Sequence, residues 1–225
     1  MQNFQPVRFQ ILPPVVKNLL IINAIFFVAT LVLGNTLGIN LSHIFGLHYI
    51  TSDLFKPWQI ITYMFMHSSD NFGHIFFNMF ALWMFGSAIE NAWGGKRFLF
   101  YFLITGIGAA VCHYLVITYQ MHYVWNPLLP HGTFINHLNI VGASGAVFGI
   151  LLAFGMLFPN SMIYLYSFIP VKAKWVVITY GAVELIYGVA GSNDGIAHFA
   201  HLGGMLFGLI LILLWKKKGN IHRFN

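Results

Sequence analysis

Three stretches far apart in the chain carry side chains that could hydrolyse a bond: His74-Ile75-Phe76-Phe77-Asn78, Gly142-Ala143-Ser144-Gly145 and His201-Leu202-Gly203-Gly204. A serine hydroxyl is a poor nucleophile until a base takes its proton, and histidine is the usual base. Acyl chemistry also needs donors for the developing oxyanion. Ser144 and His201 supply the first pair. His74 and Asn78 stand at i and i+4, on one face of any helix that holds them, and both can donate hydrogen bonds. So can the backbone N–H of Ser144 if that residue opens a helix, where amides are unpaired and the dipole favours an anion. Each stretch alone has a plainer reading. Gly-Ala-Ser-Gly is an ordinary packing face in a membrane helix, and a lone histidine is more often a hydrogen-bonded interior residue. The chemistry depends on elements that bring the three together.

Those elements are membrane spans. The chain has 225 residues, 58% hydrophobic and 7% charged, with 11 Lys+Arg and 5 Asp+Glu. A soluble domain carries about 25% charged residues. This excludes a soluble globular domain and a disordered chain, and the single Cys112 excludes a disulfide scaffold. Continuous rather than alternating apolar runs exclude a β-barrel. The expected fold is an all-α membrane protein: one domain over 1–225, with six spans near 18–37, 72–92, 98–119, 141–158, 175–190 and 196–215. The net charge of +6 does not point to nucleic acid, because the basic residues sit at segment ends and form no stripe.

Lys and Arg set the orientation. With the N-terminus inside, the inner segments hold Arg8, Lys17, Lys96, Arg97, Lys172, Lys174, Lys216, Lys217, Lys218 and Arg223; the outer ones hold only Lys56. This bias predicts both termini on the cytoplasmic side. The even-numbered spans then run inward, which places His74, Asn78, Ser144 and His201 at one depth, roughly 5–12 Å below the outer surface at 1.5 Å rise per residue. Gly145-x-x-x-Gly149 on span four and Gly204-x-x-x-Gly208 on span six allow close helix approach, and this predicts His201 packed against span four. The outer loops near 38–71 and 120–140 are apolar, with Trp58, Trp125, Leu128, Leu129 and Phe134, and should lie on the protein or in the interface.

Other polar residues have simpler readings. His198 and His201 could be taken for metal ligands, but no acidic or cysteine cluster completes a site, so no metal and no organic cofactor are expected. His198 is read as a hydrated residue near the outer mouth. Glu184, the one acid well inside a span, is read as a neutral carboxyl bonded to Tyr or backbone groups. Span five lacks a glycine stripe, although Gly181 and Gly188 thin it, and a loosely held span could move aside to admit a substrate. His113, His122, His131 and His137 receive no role.

Taken together, the residues resemble the rhomboid intramembrane serine proteases. Gly-x-Ser-Gly at 142–145, His-x-x-x-Asn at 74–78 and His-x-x-Gly-x-x-x-Gly at 201–208 match the three family signatures, on spans four, two and six. The resemblance implies a Ser–His dyad without a third acid, Ser144 as nucleophile and His201 as base. It implies His74 and Asn78 as oxyanion-hole side chains, alongside the Ser144 N–H. His67 resembles a histidine that braces the first outer loop, and Glu90 a structural acid at the cytoplasmic end of span two. Phe148 takes the place of an aromatic residue packed on the base. Trp58-Gln59 stands where the family often has Trp-Arg. Gly142, Gly145, Gly149, Gly204 and Gly208 support the packing.

The activity so implied is cleavage of transmembrane protein substrates near their outer ends, with lipid as the other partner. Water must reach Ser144 through a polar cavity, and the substrate helix must unwind locally, which favours Gly, Ala or Ser near the scissile bond. The lack of an organelle presequence suggests a prokaryotic inner membrane. The rivals are a catalytically inactive rhomboid-like binding protein and a small six-span transporter. Inactive relatives typically lack the serine or the histidine, and both are present here.

Overall fold

The structure, a computed structural model, describes residues 9–124, 138–165, 168–191 and 197–219. Arg8, Trp125, Leu128, Leu129, His131, Phe134, His137 and Arg223 lie outside the described residues. The chain is mostly helical. Helix α1 (Pro14–Leu37) starts with proline, whose missing N–H costs nothing in a first turn, and ends at Gly38 in the left-handed region. Its first turn has no acid of its own. Glu90 fills that role from another helix, accepting from Val15 N at 2.9 Å and Val16 N at 2.7 Å. The carboxylate thus satisfies two orphan amides at the positive end of the dipole.

The segment after α1 is structured and folded onto the protein, as its apolar content predicts. It contains α2 (Leu41–Phe45), the strand β1 (Leu47–His48), α3 (Gln59–Thr62) and a 3₁₀ turn at Tyr63–Phe65. Gln59 is fully buried. Its Oε1 accepts from Lys56 N at 3.1 Å and His48 N at 3.4 Å, and its Nε2 donates to the carbonyls of Ile44 and Leu54. Trp58 Nε1 donates to the Ile44 carbonyl as well. One neutral amide therefore ties three turns of the loop together.

Helix α4 (Phe72–Ala81) continues through a π turn at Leu82–Gly86 into α5 (Ser87–Trp93). Gly94, at φ +79°, breaks the rod before α6 (Gly95–Tyr119). Strand β2 (Asn139–Ile140) pairs antiparallel with β1. Helix α7 (Ser144–Leu157), the hairpin β3 (Met162–Leu165) and β4 (Ile169–Lys172), α8 (Ala173–Ala190) and α9 (His198–Lys217) complete the chain. The two short ladders sit within a mostly helical chain, in line with the expected helical membrane fold. Both lie between the long helices, where short chain segments can pair backbone groups that no helix satisfies.

Five helical segments are long and apolar enough to cross a membrane: Pro14–Leu37, Phe72–Trp93, Gly95–Tyr123, Ala173–Ala190 and His198–Lys217. Helix α7, at 14 residues, is apolar but shorter.

Helix α6 is the central post. Its small residues let neighbours press onto it: a Cβ on Gly108 would strike Phe207, and one on Gly106 would strike Met64. This revises the glycine reading. Gly204 does press on the backbone of Gly145, joining α9 to α7. Gly149 and Gly208 instead face α6, at Thr105 and Tyr101. Gly145 also faces α6, at Ala109, so the α7 pair lies on α6 while the α9 pair, wedged against both helices, is divided between α7 and α6. Tyr101 closes the wedge by donating its hydroxyl to the Gly149 carbonyl at 2.8 Å.

Candidate active site

The turn before α7 is set by backbone contacts. Gly142 holds φ +127°, a conformation that a side chain disfavours, and donates its N–H to the Tyr63 carbonyl at 3.0 Å. Tyr63 is in turn fixed by its hydroxyl on the Gly106 carbonyl at 2.7 Å. Ser144 is then the first residue of α7, where first-turn amides have no intrahelical acceptor. On α9, His201 sits one turn into the helix and is buried.

Ser144 and His201 meet. His201 Nε2 lies 2.8 Å from Ser144 Oγ, across 57 residues of sequence. The imidazole face is covered by Phe148, one turn along α7, with ring centroids 4.2 Å apart and planes within 6°. The stack fixes the ring plane and removes water from one side of it.

His74 lies on the other side of Ser144. A Cβ built on Gly142 would stand 2.8 Å from His74 Nε2 and 3.7 Å from Ser144 Oγ. The missing side chain of Gly142 therefore leaves a small space flanked by the serine hydroxyl and an imidazole nitrogen. Asn78 follows one turn after His74 on α4. It is buried, and its Nδ2 donates to the His74 carbonyl at 2.8 Å, along its own helix. That bond helps hold the backbone that carries His74.

His67 is fully buried and packs edge-on against His74, with ring centroids 5.1 Å apart. The Phe65 backbone, in the segment after α1, is its polar neighbour. Burial, with the neighbouring His74 ring a smaller cause, pushes its pKa from near 6.5 down to about 3. It is therefore neutral at physiological pH.

Two residues stand apart from their sequence readings. Among the described residues, Glu184 on α8 bonds neither to Tyr nor to backbone. One of its oxygens, Oε2, lies 2.7 Å from His198 Nδ1 and 2.9 Å from His201 Nδ1. His198 is buried rather than hydrated, and its ring stacks on Tyr187. A signal was available in the sequence. A carboxyl inside a span needs N–H donors, and His198 and His201 at i, i+3 present two on one face.

The three side chains also bring one ligand atom each within 4.8 Å of one another, close enough to hold a transition-metal ion. Such an ion on His201 Nδ1 would leave the ring's remaining proton on Nε2. The nitrogen facing Ser144 could then no longer accept a proton. A shared carboxylate leaves that lone pair free, so the polar cluster fits a hydrogen-bonded site better than a metal centre.

The chain is similar to known proteins over most of its length. The sequence pattern of the Rhomboid domain matches residues 54–218. The chain is 29% identical over 162 residues to Rhomboid protein 1, mitochondrial, of Saccharomyces cerevisiae, covering 72% of this chain and 42% of that one. It is 29% identical over 169 residues to Rhomboid protease AarA of Providencia stuartii, covering 70% and 56%. It is 29% identical over 163 residues to Putative rhomboid protease YdcA of Bacillus subtilis, covering 72% and 68%. The chain thus spans roughly half the length of the first two relatives.

Proposed function

This chain belongs to the rhomboid family and is a multi-pass membrane protein, and on that premise we propose that it is an intramembrane serine endopeptidase. Ser144 is the nucleophile and His201 the general base. The observation that carries this reading is the 2.8 Å approach of His201 Nε2 to Ser144 Oγ. It lies within hydrogen-bond reach and is made by two helices that glycine lets touch.

In the proposed reaction Ser144 Oγ attacks the scissile carbonyl while its proton passes to His201 Nε2. The tetrahedral oxyanion forms beside Gly142, where the His74 ring and the Ser144 N–H can donate to it. His201 then protonates the leaving amine, and water, activated by the same ring, releases the acyl group. Asn78 supports the His74 backbone through one amide N–H, and its other N–H is a second side-chain donor for the oxyanion. The substrates we propose are transmembrane segments of other proteins, cut near their outer ends where water can enter.

We read α7 as the sixth span. Its 14 residues rise about 21 Å, and the flanking segment 138–143 extends it outward. The ten-to-one Lys/Arg partition supports cytoplasmic termini, and a bacterial inner membrane fits that partition. Helix α8 is the substrate gate in this reading. It buries the smallest share of the five spans, and its glycines meet flexible side chains, Met205 and Phe199.

The test is labelling by a serine-reactive fluorophosphonate in detergent, with cleavage of a transmembrane substrate alongside. Wild type labels and cleaves; Ser144→Ala and His201→Ala do neither. Equal labelling of all three proteins ends the proposal.

A further inference from the structure

His201 has a second nitrogen to account for. If Nε2 is to accept the proton of Ser144, the resting ring must carry its own proton on Nδ1. A buried N–H needs an acceptor. Glu184 Oε2, at 2.9 Å, is the group beside it. The same oxygen is held by His198 Nδ1 at 2.7 Å, and all three side chains are buried. Oε2, a carboxylate oxygen, can accept from both rings. It is aligned with His198 and lies close to His201 but off its axis. His198 therefore anchors the carboxylate, and the carboxylate faces the base.

We propose that Glu184 is a positioning residue for the reaction, the third member of a Ser144–His201–Glu184 relay, with His198 as its anchor. It holds His201 in the Nδ1–H tautomer and offsets the positive charge that the ring gains when it takes the proton of Ser144. The proton balance is simple: it leaves Oγ for Nε2 and later goes from Nε2 to the leaving amine, while the Nδ1 proton stays on the ring throughout. The acid stands on α8, so the helix least embedded in the bundle carries the group that orients the base. This inference rests on the protease reading above.

The experiment uses the full chain in detergent, with every rate expressed per folded molecule. Glu184→Gln keeps the shape and an acceptor oxygen but removes the charge. We expect kcat on a transmembrane substrate, and the fluorophosphonate labelling rate, to fall at least about tenfold, with KM unchanged within about twofold. Glu184→Asp recovers part of the loss. A purely structural role would not give that split or that rescue.

A second measurement needs no change at position 184. In ¹⁵N-histidine-labelled protein, the His201 ring, identified by its absence in His201→Gln, shows the Nδ1–H tautomer. Wild-type rates in Glu184→Gln, or an Nε2–H tautomer of His201, overturn the inference while Ser144-dependent labelling still stands. Failure of wild type to label at all removes the protease reading and this inference with it.

Discussion

The closest contact between the two helices of the proposed dyad makes Gly204 the most informative position outside it. A Cβ at residue 204 would stand 1.8 Å from the Gly145 carbonyl oxygen and 2.7 Å from its carbon. Ordinary contacts begin at 3.4 Å, and the obstacle is backbone, which cannot swing aside as a side chain can. Gly204→Ala must therefore push α9 from α7 by about 1.6 Å at this level. Gly145 adjoins Ser144, and Gly204 is one turn from His201, so little of that shift is absorbed before it reaches the dyad. The 2.8 Å Nε2···Oγ distance would open toward about 4 Å, beyond hydrogen-bond reach.

Misplacement of reacting groups by about 1 Å costs on the order of 10²-fold in rate, and overpacking costs about 1–3 kcal/mol of stability. The assay must separate the two. Fluorophosphonate labelling is measured per folded molecule, with the folded fraction taken from a thermal melt in the same detergent. We expect labelling of Gly204→Ala to fall by about 10² or more. Gly181→Ala, whose Cβ would meet only the mobile end of Met205 at 3.3 Å, should label like wild type. A folded Gly204→Ala protein that labels at close to the wild-type rate would refute the claim that backbone contact sets the dyad distance.

Three other perturbations follow from the same geometry. Gly142→Ala places a methyl group between His74 Nε2 and Ser144 Oγ and strains a φ of +127°; cleavage should drop about 10²–10³-fold, as when an oxyanion donor is lost, and intact cleavage would remove the oxyanion role of this space. His67, held near pKa 3 in the folded chain against about 6.5 when unfolded, binds its proton only on unfolding between those values; stability should therefore fall as pH drops below about 6.5, by up to about 1.4 kcal/mol per unit, and level off below about 3. Melting curves of His67→Phe should show a shallower acid slope, and parallel slopes would contradict the burial of a neutral ring. Glu90→Gln weakens the cap on α1 by one carboxylate oxygen and the charge, so the melting midpoint should drop by the equivalent of about 1–3 kcal/mol with labelling per folded molecule unchanged; an undiminished midpoint would show that the cap carries no net stability.

The sequence alone determined the class of protein and the chemistry available to it. Sixteen formal charges in 225 residues cannot cover a soluble surface, so apolar spans were forced. Residue type offered a serine as candidate nucleophile and a histidine as candidate base, and i, i+3 and i, i+4 spacing put His74 with Asn78 and His201 with Gly204 on common faces. Even the glycine at 204 marked a close helix approach, because spacing within one helix is fixed by 3.6 residues per turn.

Only the tertiary structure decided which faces meet which. Spacing does not say that Gly145, Gly149 and Gly208 turn to α6 while Gly204 turns to the backbone of Gly145. Nor does it say that Asn78 gives one N–H to the His74 carbonyl, or that a carboxyl on α8 reaches two rings on α9. Those outcomes depend on three helices wedged together at once, and on each buried polar atom taking whichever partner the packing leaves within about 3 Å, a distance no periodicity encodes.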